Sequence, residues 1–287
     1  TKEQLIKDIL SGIIVAIIAL PLSIALAIAS GVGPVQGLYT AIVAGFVISA
    51  LGGSSVQIAG PTAAFATIVA GIVAKDGMDG LVIATILAGI FLVLMGLCHF
   101  GSLIKFIPFT ITTGFTSGIA VTIVIGQLKD FFGLTYPDGV KPIETTEKFR
   151  AVVENFSTIN IDALIVGAVS LAVLIIAPYI FKRIPGSLIA VIVGILMVQF
   201  LPLKVSTIGN LYTISNSLPS FHLPAVSLEV VQNALPNAFT IAVLAAIESL
   251  LSCVVADGMI NGKHRSDMEL VAQGAGNIAS ALFGGIP

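Results

Sequence analysis

Charge is scarce in this 287-residue sequence. Asp, Glu, Lys and Arg make up 10% of it, against about a quarter in an ordinary soluble domain. Hydrophobic residues reach 56% and the mean hydropathy is +1.08. That balance excludes a soluble globular protein and implies an all-α polytopic membrane protein in a lipid bilayer. The 13 basic residues gather into no stripe, so nucleic acid is not expected as a partner. There are 2 cysteines, Cys98 and Cys253, far apart and both in apolar segments, which excludes a disulfide framework and a cysteine metal site. The three histidines, His99, His222 and His264, fall at a segment edge or in connections and are expected to be solvated. No nucleophile–base–acid set, phosphate-cradling loop or metal-ligand cluster is visible, so neither an enzyme nor a bound cofactor or metal is expected.

Apolar runs bounded by Gly, Pro or charge predict membrane segments at 9–30, 36–51, 62–74, 80–98, 103–128, 161–181, 187–201, 236–256 and 268–283. The opening TKEQLIKD reads as a short amphipathic lead-in to a retained helix, because the run after it has no small-residue cleavage site. Segments 36–51, 62–74, 187–201 and 268–283 are short for a full crossing, as in transporters with broken helices. Connections 129–160 and 202–235 are long and polar, yet too short for separate domains. The short connections set the orientation. With the N-terminus inside, Lys2, Lys7, Lys105, Lys182, Arg183, Lys263 and Arg265 lie on the inner side, and Lys75 and Lys204 on the outer. A cytoplasmic N-terminus follows.

The sequence also echoes itself. Ser49-Ala50-Leu51-Gly52-Gly53 ends the second segment, and Ser280-Ala281-Leu282-Phe283-Gly284-Gly285 ends the ninth. The offset places segment eight over segment one, and segment nine over segment two. Seven crossings per copy turn the second copy upside down, which is the inverted-repeat plan.

Two features carry chemistry. Glu248 is the sole charge in the apolar run 238–256. An acid at that depth faces a cavity or a partner on an ion path, or it is tied into a structural hydrogen-bond network. Ser252 lies four residues on and shares its helical face with Glu248 and the small Ala245; Ser249 is adjacent. The second feature is residues 52–65, Gly-Gly-Ser-Ser-Val-Gln-Ile-Ala-Gly-Pro-Thr-Ala-Ala-Phe. Gly52-Gly53-Ser54-Ser55 ends a helix and 56–59 reads as extended. Gly60-Pro61 then starts a new helix with Pro in an early position. Backbone N–H groups of the first turn, at Thr62, Ala63 and Ala64, would favour an anion. An ordinary inter-helix loop is the plainer reading. In the first segment Pro21 is expected to break the helix, leaving Ser23 as a polar side chain at a kink or at a ligand.

These stretches resemble the SulP family, the bacterial sulfate-permease relatives of solute carrier family 26. The resemblance rests on residues 20–29 beginning Leu20-Pro21, on Gly37-Leu38-Tyr39, on 52–64, on 248–257 with Gln273-Gly274, and on Gly284-Gly285-Ile286-Pro287. It runs in order over essentially the whole chain. It implies part of a seven-plus-seven inverted-repeat (UraA-like) transporter fold, with short extended stretches before half-helices. Core-domain segments would occupy about 9–98 and 236–287, and gate-domain segments about 103–201. The resemblance places segments ten to fourteen and a STAS domain beyond residue 287. By motif it assigns substrate binding to Leu22, Ser23, Leu26, Gln57, Thr62 and Ala63, and cation coupling to Glu248, Ser249 and Ser252. The implied activity is symport of a small anion (sulfate, bicarbonate or a dicarboxylate) by an elevator-like movement, in a homodimer in the cell inner membrane. Asp with Thr four residues on looks like the sodium-coupled bicarbonate type; Glu248 with Ser252 points to a proton instead. Sodium coupling, uncoupled exchange or channel activity on the same fold, and a non-transporting scaffold stay as alternatives.

Overall fold

The computed structural model describes residues 2–102, 109–137, 139–181, 184–215, 217–224 and 227–287. Among them the elements are helical, and no strand occurs. The helices are α1 (Lys2–Ala29), α2 (Pro34–Leu51), α3 (Ala66–Leu97), α4 (Phe109–Phe131), α5 (Thr145–Glu154), α6 (Ile161–Ile180), α7 (Gly186–Phe200), the single turn α8 (Ile208–Leu211), α9 (Leu228–Ile260) and α10 (Ser266–Leu282). Five of the described helical stretches are long and apolar enough to cross a membrane: Lys2–Ala29, Pro34–Leu51, Ala63–Leu97, Ile161–Ile180 and Leu228–Ile260.

Several boundaries differ from the sequence reading. The lead-in is not separate, since α1 runs unbroken from Lys2. Pro21 lies inside α1 without ending it: proline removes one backbone bond, but a spanning helix keeps the rest because lipid offers no other partner. Segments 62–74 and 80–98 keep their separate identities, since α3 is two helical pieces divided by a kink where Gly77 adopts the non-helical φ 69° and ψ −171°. Lys75 lies in the last helical turn before that kink, at the junction of the two segments. Lys105, Asp138, Lys182 and Arg183, and the start of segment 103–128, lie outside the described residues.

The chain divides into two compact units. One comprises Leu20–Ile119 and Ile214–Pro287. Its centre is α3, α9 and α10, with α2 against α10. These helices meet through small residues. A methyl group added to Gly274 of α10 would lie 2.5 Å from the Gly89 carbonyl oxygen, and one added to Gly89 would lie 2.6 Å from that of Gly274. One turn pair along, a methyl at Gly96 would come within 2.6 Å of the Asp267 carbonyl oxygen. Such backbone approach is how helices associate where apolar area gives no driving force. On α9 the buried small residues Ala234, Ala238, Ala242, Ala245, Ser249 and Cys253 recur every three or four positions, with Ile241 and Leu250 buried beside them, while Val254, Val255 and Met259 stay exposed. Asn261 stops α9 in the left-handed conformation (φ 51°), which asparagine tolerates.

The other unit comprises Thr1–Ala19 and Ala120–Thr213. Here α6 and α7 pack together. Asn160 organises the entry to α6. Its Oδ1 accepts from the Asp162 and Ala163 amides at 2.9 and 3.3 Å, and its Nδ2 donates to the Lys204 carbonyl at 2.9 Å. The polar connection 129–160 contains α5. Glu147 there accepts from the Ile143 and Glu144 amides at 3.0 and 3.2 Å, capping the helix start.

Candidate functional site

The connection 52–62 leaves α2 and lies against α9 and the start of α10. Gly52 ends α2 in an extended conformation (φ −58°, ψ 155°). Thr62, also extended, caps a 3-10 turn Ala63–Phe65 that leads into α3. The helix thus starts later than the sequence reading has it, with Pro61 ahead of the cap rather than in the first turn. The reason is the Thr62 side chain: a threonine oxygen that accepts from the chain two residues on fixes the N-terminus at itself. The Ala64 amide donates to Thr62 Oγ1 at 3.4 Å, and the Phe65 amide to the Thr62 carbonyl at 3.3 Å. Two of the first-turn donors are therefore already engaged.

Thr62 Oγ1 also donates to Glu248 Oε1 at 2.6 Å. This bond joins the two features that stand 186 residues apart in sequence. The other carboxyl oxygen, Glu248 Oε2, is buried and has no hydrogen-bond partner among the described residues. Buried acid oxygens are nearly always partnered, so this one marks a group whose needs the fold meets only in part. Next to it, Ser249 is buried. Gln57 Nε2 donates to both the carbonyl and the Oγ of Ser249 at 3.4 Å, and the Cys253 thiol donates to Gln57 Oε1. The connection is thus laid along one face of α9, with Gln57 and Thr62 turned towards it.

The remaining expected residues distribute differently. Ser23 is buried, and its carbonyl stands where a side chain on Gly37 of α2 would begin. Leu22 is exposed and Leu26 half-buried; Ala63 opens the 3-10 turn. Ser252 shares the Glu248 side of α9 by spacing but is exposed. Among the described residues, the hydrogen bonds bring together Gln57, Thr62, Glu248 and Ser249, and none of them reaches Leu22, Leu26 or Ser252.

Two groups escaped the sequence reading. Glu269, on the first turn of α10, is 1% exposed. Its Oε2 accepts from the Gly53 and Ser54 amides at 2.9 and 3.3 Å. Its Oε1 accepts from Ser249 Oγ and Gln273 Nε2, both at 3.1 Å. The signal was present in the spacing: Glu269, Gln273, Asn277 and Ser280 make a polar stripe at helical period, and all four are buried. The second group corrects the expectation that His264 is solvated. Its side chain is 7% exposed, with Nδ1 2.7 Å from Asp257 Oδ2 and Nε2 2.9 Å from Ser266 Oγ. Asp257 Oδ2 also accepts the His264 amide at 3.0 Å. The residue types are those of an acid–base–nucleophile set, which no sequence spacing suggested. Their work here is to fasten the short turn between α9 and α10. His99 (φ 60°) is exposed and pairs with Asp267 at 2.9 Å; His222 is exposed.

A helical membrane protein with an extended break set against an intramembrane acid is the plan of an inverted-repeat transporter. The chain matches the Sulfate permease family over residues 5–287 and belongs to that family. It is 42% identical over 287 residues to YvdB of Bacillus subtilis strain 168, covering 98% of this chain and 53% of that protein. It is 33% identical over 290 residues to the Bicarbonate transporter BicA of Picosynechococcus sp. strain PCC 7002, covering 97% of this chain and 50% of BicA. The solved transmembrane domain of a cyanobacterial BicA superposes with a TM-score of 0.82 at 31% identity, over 96% of this chain and 71% of that one. The structure of SLC26A9 shares the fold alone, with a TM-score of 0.79 at 21% identity, over 98% of this chain and 48% of that one. The chain therefore has part of the UraA-like inverted-repeat fold of this family of anion transporters. It spans about half the length of the curated relatives it matches.

Proposed function

We propose that this chain carries the cation-coupling group and half of the anion cradle of a proton-coupled anion symporter. The observation that carries the reading is the Thr62–Glu248 pair, a 2.6 Å hydrogen bond that leaves Glu248 Oε2 buried without a partner. A carboxylate needs donors at both oxygens, whereas a protonated carboxyl can donate as well as accept. The environment of Glu248 changes its demands with one proton, and Thr62 feels that change directly. The anion docks at the start of the 3-10 turn at Thr62 and Ala63, with Gln57, Ser23, Leu22 and Leu26 around it. Ser249 and Ser252 serve the cation side. Proton and anion then favour the same loaded state, which is what coupling requires.

Residues of about 9–98 and 236–287 serve as the core that carries the ions, and α4 to α7, within about 103–201, supply the gate. The movement is elevator-like, in a homodimer in the cell inner membrane. The N-terminus is cytoplasmic, on the side of Lys2, Lys7, Lys263 and Arg265. Membership of the Sulfate permease family and likeness to a bicarbonate transporter support a small oxyanion such as sulfate or bicarbonate as substrate; dicarboxylates belong on the same competition panel.

The test is uptake of labelled sulfate and bicarbonate into proteoliposomes holding the full-length protein, with a pH gradient imposed and sodium either present or absent. Uptake is expected to follow the pH gradient without sodium, and Glu248→Gln is expected to abolish that dependence. Undiminished pH dependence in Glu248→Gln, or uptake that requires sodium, defeats the proton role. Sodium-dependent uptake would favour the sodium-coupled reading.

A further inference from the structure

We infer that Glu269 is a positioning residue: its carboxylate holds the connection 52–62 in register on α9, so that Gln57 and Thr62 meet Ser249 and Glu248. The inference deepens the proposed reading and rests on it where transport is concerned. Its structural half stands alone.

Glu269 belongs to α10, yet three of its four hydrogen-bond partners lie elsewhere. Gly53 and Ser54 are the second and third residues of the connection, and Ser249 is on α9. Gln273, one turn along α10, supplies the fourth. Four donors on two oxygens satisfy an acceptor-only carboxylate. The clamp is reinforced by backbone, because the Arg265 amide donates to the Gly53 carbonyl at 3.0 Å. It also demands glycine at 53, where a methyl group would lie 2.0 Å from the Arg265 carbonyl oxygen. Residues 53 and 54 are thereby fixed to the start of α10. Ser249, which donates to Glu269, receives Gln57. One carboxylate thus sets both where the connection begins and where its sixth residue, Gln57, lands.

The two acids divide the labour. Glu269 has every lone pair engaged and is suited to stay as it is through a cycle. Glu248 has one partner and one buried free oxygen and is suited to change. In this arrangement an acid tied into a structural network and an acid on an ion path are adjacent, joined through Ser249.

Cys253 reports on the clamp without any transport assay. It is buried, and its thiol donates to Gln57, so a connection that lifts off α9 uncovers it. The experiment follows alkylation of Cys253 by N-ethylmaleimide in the full-length protein in detergent, read by peptide mass spectrometry. Wild type is compared with Glu269→Gln, Ser249→Ala and Glu248→Gln. Glutamine turns an amide N–H2 towards donors, and losing bonds to a charged group shifts a local opening by about tenfold. Cys253 is therefore expected to label about tenfold faster in Glu269→Gln and about threefold faster in Ser249→Ala, which loses one bond. Glu248→Gln keeps wild-type protection. In proteoliposomes Glu269→Gln is expected to raise the KM for the anion while its remaining uptake keeps the wild-type pH dependence. Wild-type protection of Cys253 in a Glu269→Gln protein that elutes as wild type overturns the inference. So does loss of pH dependence at unchanged KM, which would make Glu269 the coupling acid. If Glu269→Gln does not fold, Ser249→Ala decides: labelling at the wild-type rate overturns the inference. If transport proves uncoupled from protons, the proposed function fails while the labelling result stands.

Discussion

The unit around α3, α9 and α10 and the unit around α6 and α7 are both made of apolar helices, but they are held together differently. In the first, backbones approach to where a single methyl would collide, as at Gly89 and Gly274, and buried polar side chains lace α2, α9 and α10 together. In the second, α6 buries Ala163 and Ala177 and α7 buries Ala190. Large side chains such as Ile175, Ile176, Ile195 and Phe200 point outwards, and the polar ties sit at helix entries such as Asn160. The difference teaches where chemistry can be placed. In lipid, close packing and hydrogen bonds supply the cohesion that apolar burial supplies in water. The closely packed, hydrogen-bonded unit is therefore the one suited to hold an acid and a broken chain at fixed distances.

The sharpest way to break this comparison is a substitution at the glycine contact. Gly274→Val puts branched carbons where the Gly89 carbonyl stands; loss of folded, monodisperse protein on detergent size exclusion is expected. Folding with wild-type stability would show that the close approach is not what holds α3 to α10. Next in size is Thr62→Ala, which removes both the cap and the bond to Glu248. A weakening of anion affinity by about tenfold is expected from losing a hydrogen bond to a charged group, measured as KM in proteoliposomes. An unchanged KM would detach Thr62 from the anion.

Smaller effects belong to the second unit. The Ile143 and Glu144 amides hold the Glu147 carboxyl below the usual glutamate range. A depressed carboxyl contributes stability above its unfolded value of about 4.3 and loses it as pH falls through the lower folded value. Amide exchange across α5 is therefore expected to quicken as pH drops below about 4, after correction for the intrinsic rate, and Glu147→Gln flattens that response. A response as steep in Glu147→Gln assigns the acid sensitivity elsewhere. Smallest is Gly126→Ala in α4, where a methyl group meets nothing within 4 Å. It should be neutral or stabilise by less than about 1 kcal/mol, the helix preference of alanine over glycine. A loss of stability like that of Gly274→Val would erase the distinction between the units.

The sequence made the helices and one acid legible, because an apolar run interrupted by a single charge is a local signal. Glu248 and the break at 52–62 were visible separately; their 2.6 Å contact was not, since Thr62 and Glu248 stand 186 positions apart and nothing local encodes the pairing. Glu269 was hidden for a different reason. It follows Asp267 in a polar helix start, where acids are commonplace, and only burial reveals that it serves another segment. Pro21 misled because a rule learned from exposed helices overstates what proline does inside lipid. The start of α3 shifted to Ala66 because Thr62 outcompeted Pro61 as the terminus signal.

The Gly-Gly echo at 52–53 and 284–285 has a counterpart in how the two helix exits are tied. The chain leaving α2 is anchored by Glu269 of α10. The chain leaving α10 is anchored by Thr40 of α2, whose Oγ1 accepts the Ile286 amide at 2.7 Å, with Ser280 Oγ donating to the Ile286 carbonyl at 2.9 Å. Each helix holds the other's loose end, as crossed laces hold the two sides of a shoe. Neither exit can slide along its helix axis without dragging its opposite number. Displacements at the two helix exits are therefore expected to arrive together and with equal size, as in a carriage that moves its whole load or none of it.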